Sequence, residues 1–391
     1  MRIAILVPDN RDEFRRYSDP EPYFGPAPTA LLSGLAMIPG CEIHILCCIQ
    51  RPLRSPPKLA GHNIYYHSVL VPKWGWMRGA YLGCIGAIRR KLRQIKPDLV
   101  HGQGTERYCA LAAVYSGFPN VVTIHGNMRL IAKINRSRPF SFAWLAARLE
   151  AFTLPRSNGV VCITDHTRRA VAHLARATWI VPNAVDSAFY AVERRPVFPR
   201  ELVCVANILA LKNQVRLIHA LESLPLKEKF QLIFYGAADR KNSYVLEFFH
   251  LLEKRPWCHF AGYAEHANLR AALARAAMLI LPSLEDNCPM AVLEAMAAGV
   301  PVAAAKVGGL PGLITHGTDG LLFDPGDEDS IRAAVAELLA DESKRAELGE
   351  RAKEKALRCF HPQRIAEKHV AIYHEIIAMS HACSGCSRPF Q

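Results

Sequence analysis

The chain has 391 residues, half of them hydrophobic, and carries a formal net charge of +13 from 48 Lys+Arg against 35 Asp+Glu. That length suits two ordinary domains, and that apolar content excludes a disordered or fibrous chain. The charge is lopsided: residues 1–200 hold 27 basic against 12 acidic side chains, a net of +15, while 201–391 hold 21 against 23, a net of −2. No zinc-finger spacing or RNA-binding aromatic signature accompanies the basic half, so nucleic acid is not the expected partner.

The first apolar run, Ile3 to Val7, is shorter than the roughly 7–15-residue core of a signal peptide and reads as a strand. Nothing approaches the roughly 18 uninterrupted apolar residues of a membrane span, so a cytoplasmic protein is expected. A charged insert, "DNRDEFRRYSD", follows, then "YFGPAPTALLSGL", in which Gly25 is the candidate for a glycine turn after the first strand. "EIHILCCI", "DLVHGQG", "NVVTIHG" and "GVVCIT" read as further strands, with helical "YLGCIGAIRRKLRQI" and "HTRRAVAHLAR" among them. Apolar strands alternating with helices predict a parallel sheet covered on both faces. The proline-bearing "NAVDSAFYAVERRPVFPR" reads as a linker.

The pattern then restarts. "ELVCVANIL", "FQLIFYG", "HFAGY" and "MLILPS" read as strands, with "NQVRLIHALESL" and "HANLRAALARAA" as helices. The expected fold is α/β: two doubly wound Rossmann-like domains, 1–187 and 188–365, with a terminal helix and tail, 366–391, returning to the first. Ligands in such sheets bind beyond the carboxyl ends of the strands, which predicts a site in a cleft between the domains. Twelve cysteines are spread through apolar segments, where a free thiol behaves as a small hydrophobe. The pair Cys383 and Cys386 is a lone CxxC without a second pair, and reads as tail rather than as a zinc or redox site.

The stretch "PSLEDNCPMAVLEAMAAGVPV", residues 282–302, combines a strand end, a polar turn and a helix starting near Pro289, with Cys288 or Asn287 as cap and Gly299 as stop. It sets Glu285, Asp286 and Glu294 among Ala, Val, Leu and Met, where carboxylates need partners. Capping accounts for one acid near a helix start. Three acids beside a strand end point to a hydroxyl-rich ligand, with the amides of Asn287 to Met290 as an anion-binding corner.

This stretch resembles the acid–seven–acid signature of the family 4 retaining glycosyltransferases, which have the GT-B fold. "AMAAGVPVAAAKVGGLPGLITHGTDGLLFDPGDEDSI" continues the likeness, and "VPNAVD", "VANILALKNQVRLIHAL", "FAGYAEHANLRAALARAAMLILPS" and "VTIHG" extend it over about residues 95–375. The resemblance implies transfer of a sugar from a UDP- or GDP-linked donor to a hydroxyl, with retained configuration and no metal. It implies that Glu294 holds the ribose hydroxyls and that Asp286, beside Glu285 and the turn Asn287, Cys288, Pro289 and Met290, holds the sugar. Lys212 would bind the pyrophosphate, His125 the sugar from the other domain, Tyr263 the nucleotide side, and Gly308 and Gly309 would shape the adjoining loop.

Three features depart from the family's pattern. Asp286 stands where Glu is usual, Asn207 where an Arg is usual, and the glycine turn near Gly25 is weakly formed. Loss of that Arg removes a fixed fork for phosphate. No side chain stands out as a general base, so a front-face route, in which the leaving phosphate takes the acceptor proton, is expected. The basic first half, with Arg89, Arg90, Lys91 and Arg93 on one helix and Arg129, Arg136 and Arg138 after His125, predicts an anionic or lipid-linked glycan acceptor at a membrane surface, as in envelope polysaccharide or lipopolysaccharide assembly. The alternatives are a catalytically impaired nucleotide-sugar-binding protein, a GT-B sugar-nucleotide epimerase, against which the acid–seven–acid stretch argues, and a sugar phosphorylase, for which the chain is short.

Overall fold

A computed structural model describes the chain except residues 54–57, 60, 225–229 and 386–391, and except the side chains of 78 and 382–385. The Cys383/Cys386 pair therefore lies outside the described residues. The chain divides into two compact units, Met1–Ala184 with Pro362–Gln391, and Val185–His361. The expected borders were 187 and 365.

The first unit holds a parallel sheet of β1 (Arg2–Leu6), β2 (Glu42–Ile49), β3 (Ile64–Leu70), β4 (Leu99–Gln103), β5 (Asn120–Ile124), β6 (Gly159–Cys162) and β7 (Thr178–Ile180), in the order β3-β2-β1-β4-β5-β6-β7. Alternate residues of a strand face opposite sides. Ile3 and Ile5 of β1 enter one core with Leu31, Leu35, Tyr373 and Ile376, while Ala4 and Leu6 enter another with Ile88, Leu92 and Tyr108. Both faces are thus buried, and the strands read as continuous apolar runs. The terminal helix Pro362–Gly385 packs on the helix Pro26–Ala36. Gly34 makes the crossing possible, since a Cβ there would stand 2.1 Å from the Pro362 carbonyl oxygen.

The second unit holds β8 (Arg200–Val205), β9 (Phe230–Tyr235), β10 (Cys258–Gly262), β11 (Ala276–Leu281), β12 (Val302–Ala305) and β13 (Leu321–Phe323), in the parallel order β10-β9-β8-β11-β12-β13. In each unit the order reverses between its first and fourth strands, which opens a crevice at their carboxyl ends. Lys212 follows β8 and Asp286 follows β11, so this reversal brings them to one place. No helix among the described residues is long and apolar enough to cross a membrane.

Candidate active site

In the second unit, β11 stops at Leu281 and the turn after it is tied across the crevice by Leu284 N–H donating to the Leu211 carbonyl at 2.8 Å. That tie sets Asp286 against the loop after β8. Lys212 Nζ donates to Asp286 Oδ2 at 2.5 Å, Ser283 Oγ donates to the same oxygen at 3.1 Å, and Asn287 N–H donates to Oδ1 at 3.1 Å. Asp286 is thus fixed on both oxygens, and the Lys212 side chain is held in one direction by it. The turn admits only glycine at one point: Gly308 has φ +53°, and a Cβ on it would lie 1.9 Å from the Asp286 carbonyl oxygen and 2.8 Å from Glu285 Oε1. Gly309 N–H closes the contact, donating to that carbonyl at 2.9 Å.

The helix after the turn runs Met290–Ala297 with Pro289 at its cap and no side-chain cap. The expected start at Pro289 and caps at Asn287 or Cys288 are corrected accordingly. Pro289 has no N–H, and Asn287 spends its own on Asp286, so the anion-binding corner is narrower than the run 287–290 suggests. Met290 supplies the first helical N–H, and Cys288 is buried beneath the turn.

Glu294 lies on the second turn of this helix and is 4 % exposed. Its carboxylate accepts no hydrogen bond among the described residues. The nearest cationic group is the His266 imidazole, Nε2 at 4.0 Å from Oε1. Burial pushes the Glu294 carboxyl up to about 7, with His266 opposing and Asp186 adding to the rise. His266 sits at the start of the helix His266–Arg275, with Asp186 Oδ2 3.9 Å from its Nδ1, and the two carboxylates hold it above the usual histidine range. A buried carboxylate without protein donors is costly to ionise and well suited to paired ligand hydroxyls.

Asn207 holds two loops together. Its Oδ1 accepts the Ala237 N–H at 3.0 Å and its carbonyl accepts Gln214 Nε2 at 2.9 Å, joining the loops after β8 and β9. It offers no cation. Tyr263, just after β10, is 65 % exposed.

In the first unit His125 follows β5. Its Nε2 lies 2.8 Å from Gln103 Oε1, which requires the proton on Nε2, and Asn183 meets the ring as well. Burial lowers its pKa, so the ring is neutral near pH 7. Gln103 also lies 3.2 Å from His101 Nε2, and His101 is held by Thr123 and by Tyr373 of the terminal helix, each at 2.7 Å.

Two family descriptions match adjoining stretches: Glycosyltransferase Family 4 over residues 29–189 and Glycosyl transferases group 1 over 190–355. The chain belongs to this glycosyltransferase family. Among curated relatives, the N-acetyl-alpha-D-glucosaminyl L-malate synthase of Bacillus anthracis is 34% identical over 110 residues, 28% of this chain and only 29% of that protein's length. The MMP alpha-(1->4)-mannosyltransferase of Mycolicibacterium hassiacum is 28% identical over 305 residues, 73% of this chain and 72% of that protein. Among solved structures, sucrose-phosphate synthase from Thermosynechococcus elongatus superposes with a TM-score of 0.76 at 17% identity, covering 97% of this chain and 100% of that one. Anabaena Alr3699/HepE in complex with UDP-glucose gives 0.68 at 18%, covering 98% and 100%. At that identity the structures establish the fold, which is GT-B.

In this member of the family the structure gathers Lys212, Glu285, Asp286, Gly308 and Gly309 beyond the carboxyl ends of β8, β11 and β12, with Glu294 in the helix after β11. Asp186 and His266, which flank Glu294, were not singled out from sequence, although a His at the first position of a helix after a strand-ending glycine was there to be read. Gln103 and Asn183, which grip His125, were missed likewise. Gly25 does not close a turn directly after β1. It precedes the helix Pro26–Ala36 with φ +83°, and the charged insert forms a short helix, Asn10–Phe14, in between. That insert is pinned by a buried pair, Arg11 Nη2 to Asp9 Oδ2 at 2.6 Å, with Tyr66 Oη donating to the same oxygen at 2.7 Å. Arg129 gives its N–H to the buried Glu150 at 3.3 Å, whereas the Arg136 and Arg138 side chains are exposed. Among the described residues no group of three or more His, Cys, Asp or Glu is placed to hold a metal ion.

Proposed function

We propose that the protein transfers a sugar from a nucleoside-diphosphate sugar to an acceptor hydroxyl, with retention of configuration and without a metal. The observation that carries this reading is Glu294: a buried carboxylate with no hydrogen-bond donor among the described residues, on the helix that follows the turn holding the fixed Lys212–Asp286 pair. The ribose diol fits Glu294, whose ionised form it would solvate. The diphosphate fits Lys212 and the first N–H of the uncapped helix Met290–Ala297, where charge on the leaving group would be stabilised. Asp286, Glu285, Asn287, Cys288, Pro289 and Met290 border the sugar position, Tyr263 offers a flat face to the base, and His125 remains the first unit's candidate for the transfer step. Support for a nucleotide-sugar donor comes from the UDP-glucose complex named above. Uracil and guanine are both open as the base.

The acceptor we propose is an anionic or lipid-linked glycan met at the inner membrane face, in envelope polysaccharide or lipopolysaccharide synthesis. Its support is the exposed arginines Arg89, Arg90, Arg93, Arg136 and Arg138 of the basic first half. Proton NMR of the glycoside product reads the anomeric configuration directly, and an inverted product refutes the front-face route. Unchanged activity on the true acceptor after R136E/R138E refutes the anionic acceptor.

One observation favours a second reading, a nucleotide-sugar-binding protein that does not turn over. Asn207 occupies the family's arginine position and its side chain is committed to Ala237. Donor binding without donor consumption would select it.

A further inference from the structure

The second unit carries another cationic recess, at the opposite end of its sheet from the Asp286 corner. Arg200 opens β8 and Ala277 lies at the start of β11, whereas Asp286 follows the end of β11. Six strand residues separate the two ends by roughly 20 Å. The recess has a volume of about 320 Å³ and is bordered by Arg194, Arg200, Arg345 and Lys353, with Glu342 and Glu350 as its acids.

The acids do not balance the bases. Glu342 accepts from Arg200 Nη2 at 3.1 Å and lies 3.6 Å from Arg345 Nη2, and its side chain is 79% exposed. No carboxylate pairs with Arg194 or Lys353 among the described residues. Arg345 is 5% exposed, and its Nη1 donates to the carbonyls of Leu338 and Leu339, near the end of the helix Glu328–Ala340. Its Nη2 makes no hydrogen bond and has only the Glu342 carboxylate, 3.6 Å away, as a charge partner. Burial and the neighbouring Arg345 pull Arg194 down to about 10, and burial and Arg200 pull Arg345 down in turn. Clipping the two carbonyls explains Nη1. It does not explain why Arg194, Arg200, Arg345 and Lys353 all border one recess.

We propose that this recess is a second ligand site of the protein, which binds a small organic phosphomonoester separate from the sugar donor. Four cations less two carboxylates leave +2, which a phosphomonoester of about −1.5 to −2 charge matches. Guanidinium forks suit its terminal oxygens. The volume is at the low end of the roughly 300–1,000 Å³ of small-molecule pockets, and Pro196, Ala277 and Ala298 line it with apolar surface for a carbon skeleton.

The test is calorimetric titration of the full chain with inorganic phosphate and with a hexose 6-phosphate, at ionic strength held constant with sodium chloride. The expected result is saturable binding of one hexose phosphate per chain, tighter than inorganic phosphate, and unchanged in Lys212→Ala and Glu294→Ala. Arg345→Gln is the direct variant but removes the carbonyl clip. Arg200→Gln/Lys353→Gln leaves that clip intact and should weaken binding at least tenfold. Absence of saturable binding, equal affinity in Arg200→Gln/Lys353→Gln and the parent, or loss of binding in Lys212→Ala would each overturn the proposal, the last by placing the phosphate in the donor corner.

Discussion

Replacing Glu294 by Gln should make the empty protein more stable and the donor-binding protein worse. The Glu294 carboxyl is raised by burial from its ordinary value of 4.5 to about 7. The folded protein therefore binds a proton that the unfolded chain has released, and stability is whole below about pH 4.5 and is lost as pH rises through 7. Linkage puts the loss at about 1 kcal/mol at pH 5, about 2 at pH 6 and about 3 at pH 8. Gln has the shape without the charge and escapes that loss. For a domain of 150–250 residues, about 1 kcal/mol moves Tm by roughly 2–4 °C, so Glu294→Gln should melt roughly 6–12 °C above the parent at pH 8 and only a few degrees above it at pH 5. Thermal unfolding at pH 5, 6 and 8, with and without nucleotide sugar, checks both halves. Donor should raise the parent's Tm and leave that of the variant nearly unmoved. Melting curves that stay parallel across this pH range would show that Glu294 is already solvated or paired, and the case for an awaited diol would fail.

Lys212→Ala should weaken donor binding by an order of magnitude or more in calorimetry, while Tm changes little, because the ammonium remains partly exposed beside Asp286. Gly308→Ala places a Cβ against the Asp286 carbonyl at a positive φ, and should cost about 1–3 kcal/mol in urea unfolding together with donor affinity. Arg11→Ala strands Asp9 in the interior of the first unit and should cost about 3–5 kcal/mol, read as a fall in Tm, whereas Tyr66→Phe removes one hydrogen bond and should cost about 1. Because burial holds His125 neutral, His125→Gln should leave the shape of the pH–rate profile above pH 7 as it is in the parent.

The sequence was most legible where one signal had one cause. Continuous β-branched runs such as "NVVTI" and "RIAIL" are strands buried on both faces, and nothing else explains them. Four strands were passed over for physical reasons. β12 is "VAAA", whose alanines have weak strand preference; β7 and β13 are three residues long; and β3, "IYYHSVL", lies at a sheet edge where apolar and polar residues mix. In the site, Asp286 and Glu294 were visible because charge in an apolar context asks for a partner, whereas Lys212 stood out only through the family resemblance. Their partners were not. Ser283, His266 and Asp186 are ordinary residues until the reversal of strand order brings separate loops together. Asn207 shows the opposite limit: its type was noted as a departure, but only the fold reveals that its side chain ties one loop to another.

Donor consumption in EDTA tests the proposed chemistry most directly. The parent and Glu294→Ala would be incubated with UDP- and GDP-sugars, and released nucleotide measured alongside thermal shift. One donor should stabilise the parent and be slowly hydrolysed without metal, and both effects should vanish in Glu294→Ala. Failure of every donor to bind, or binding and hydrolysis that survive in Glu294→Ala, would contradict the assignment of Glu294 as the donor's anchor.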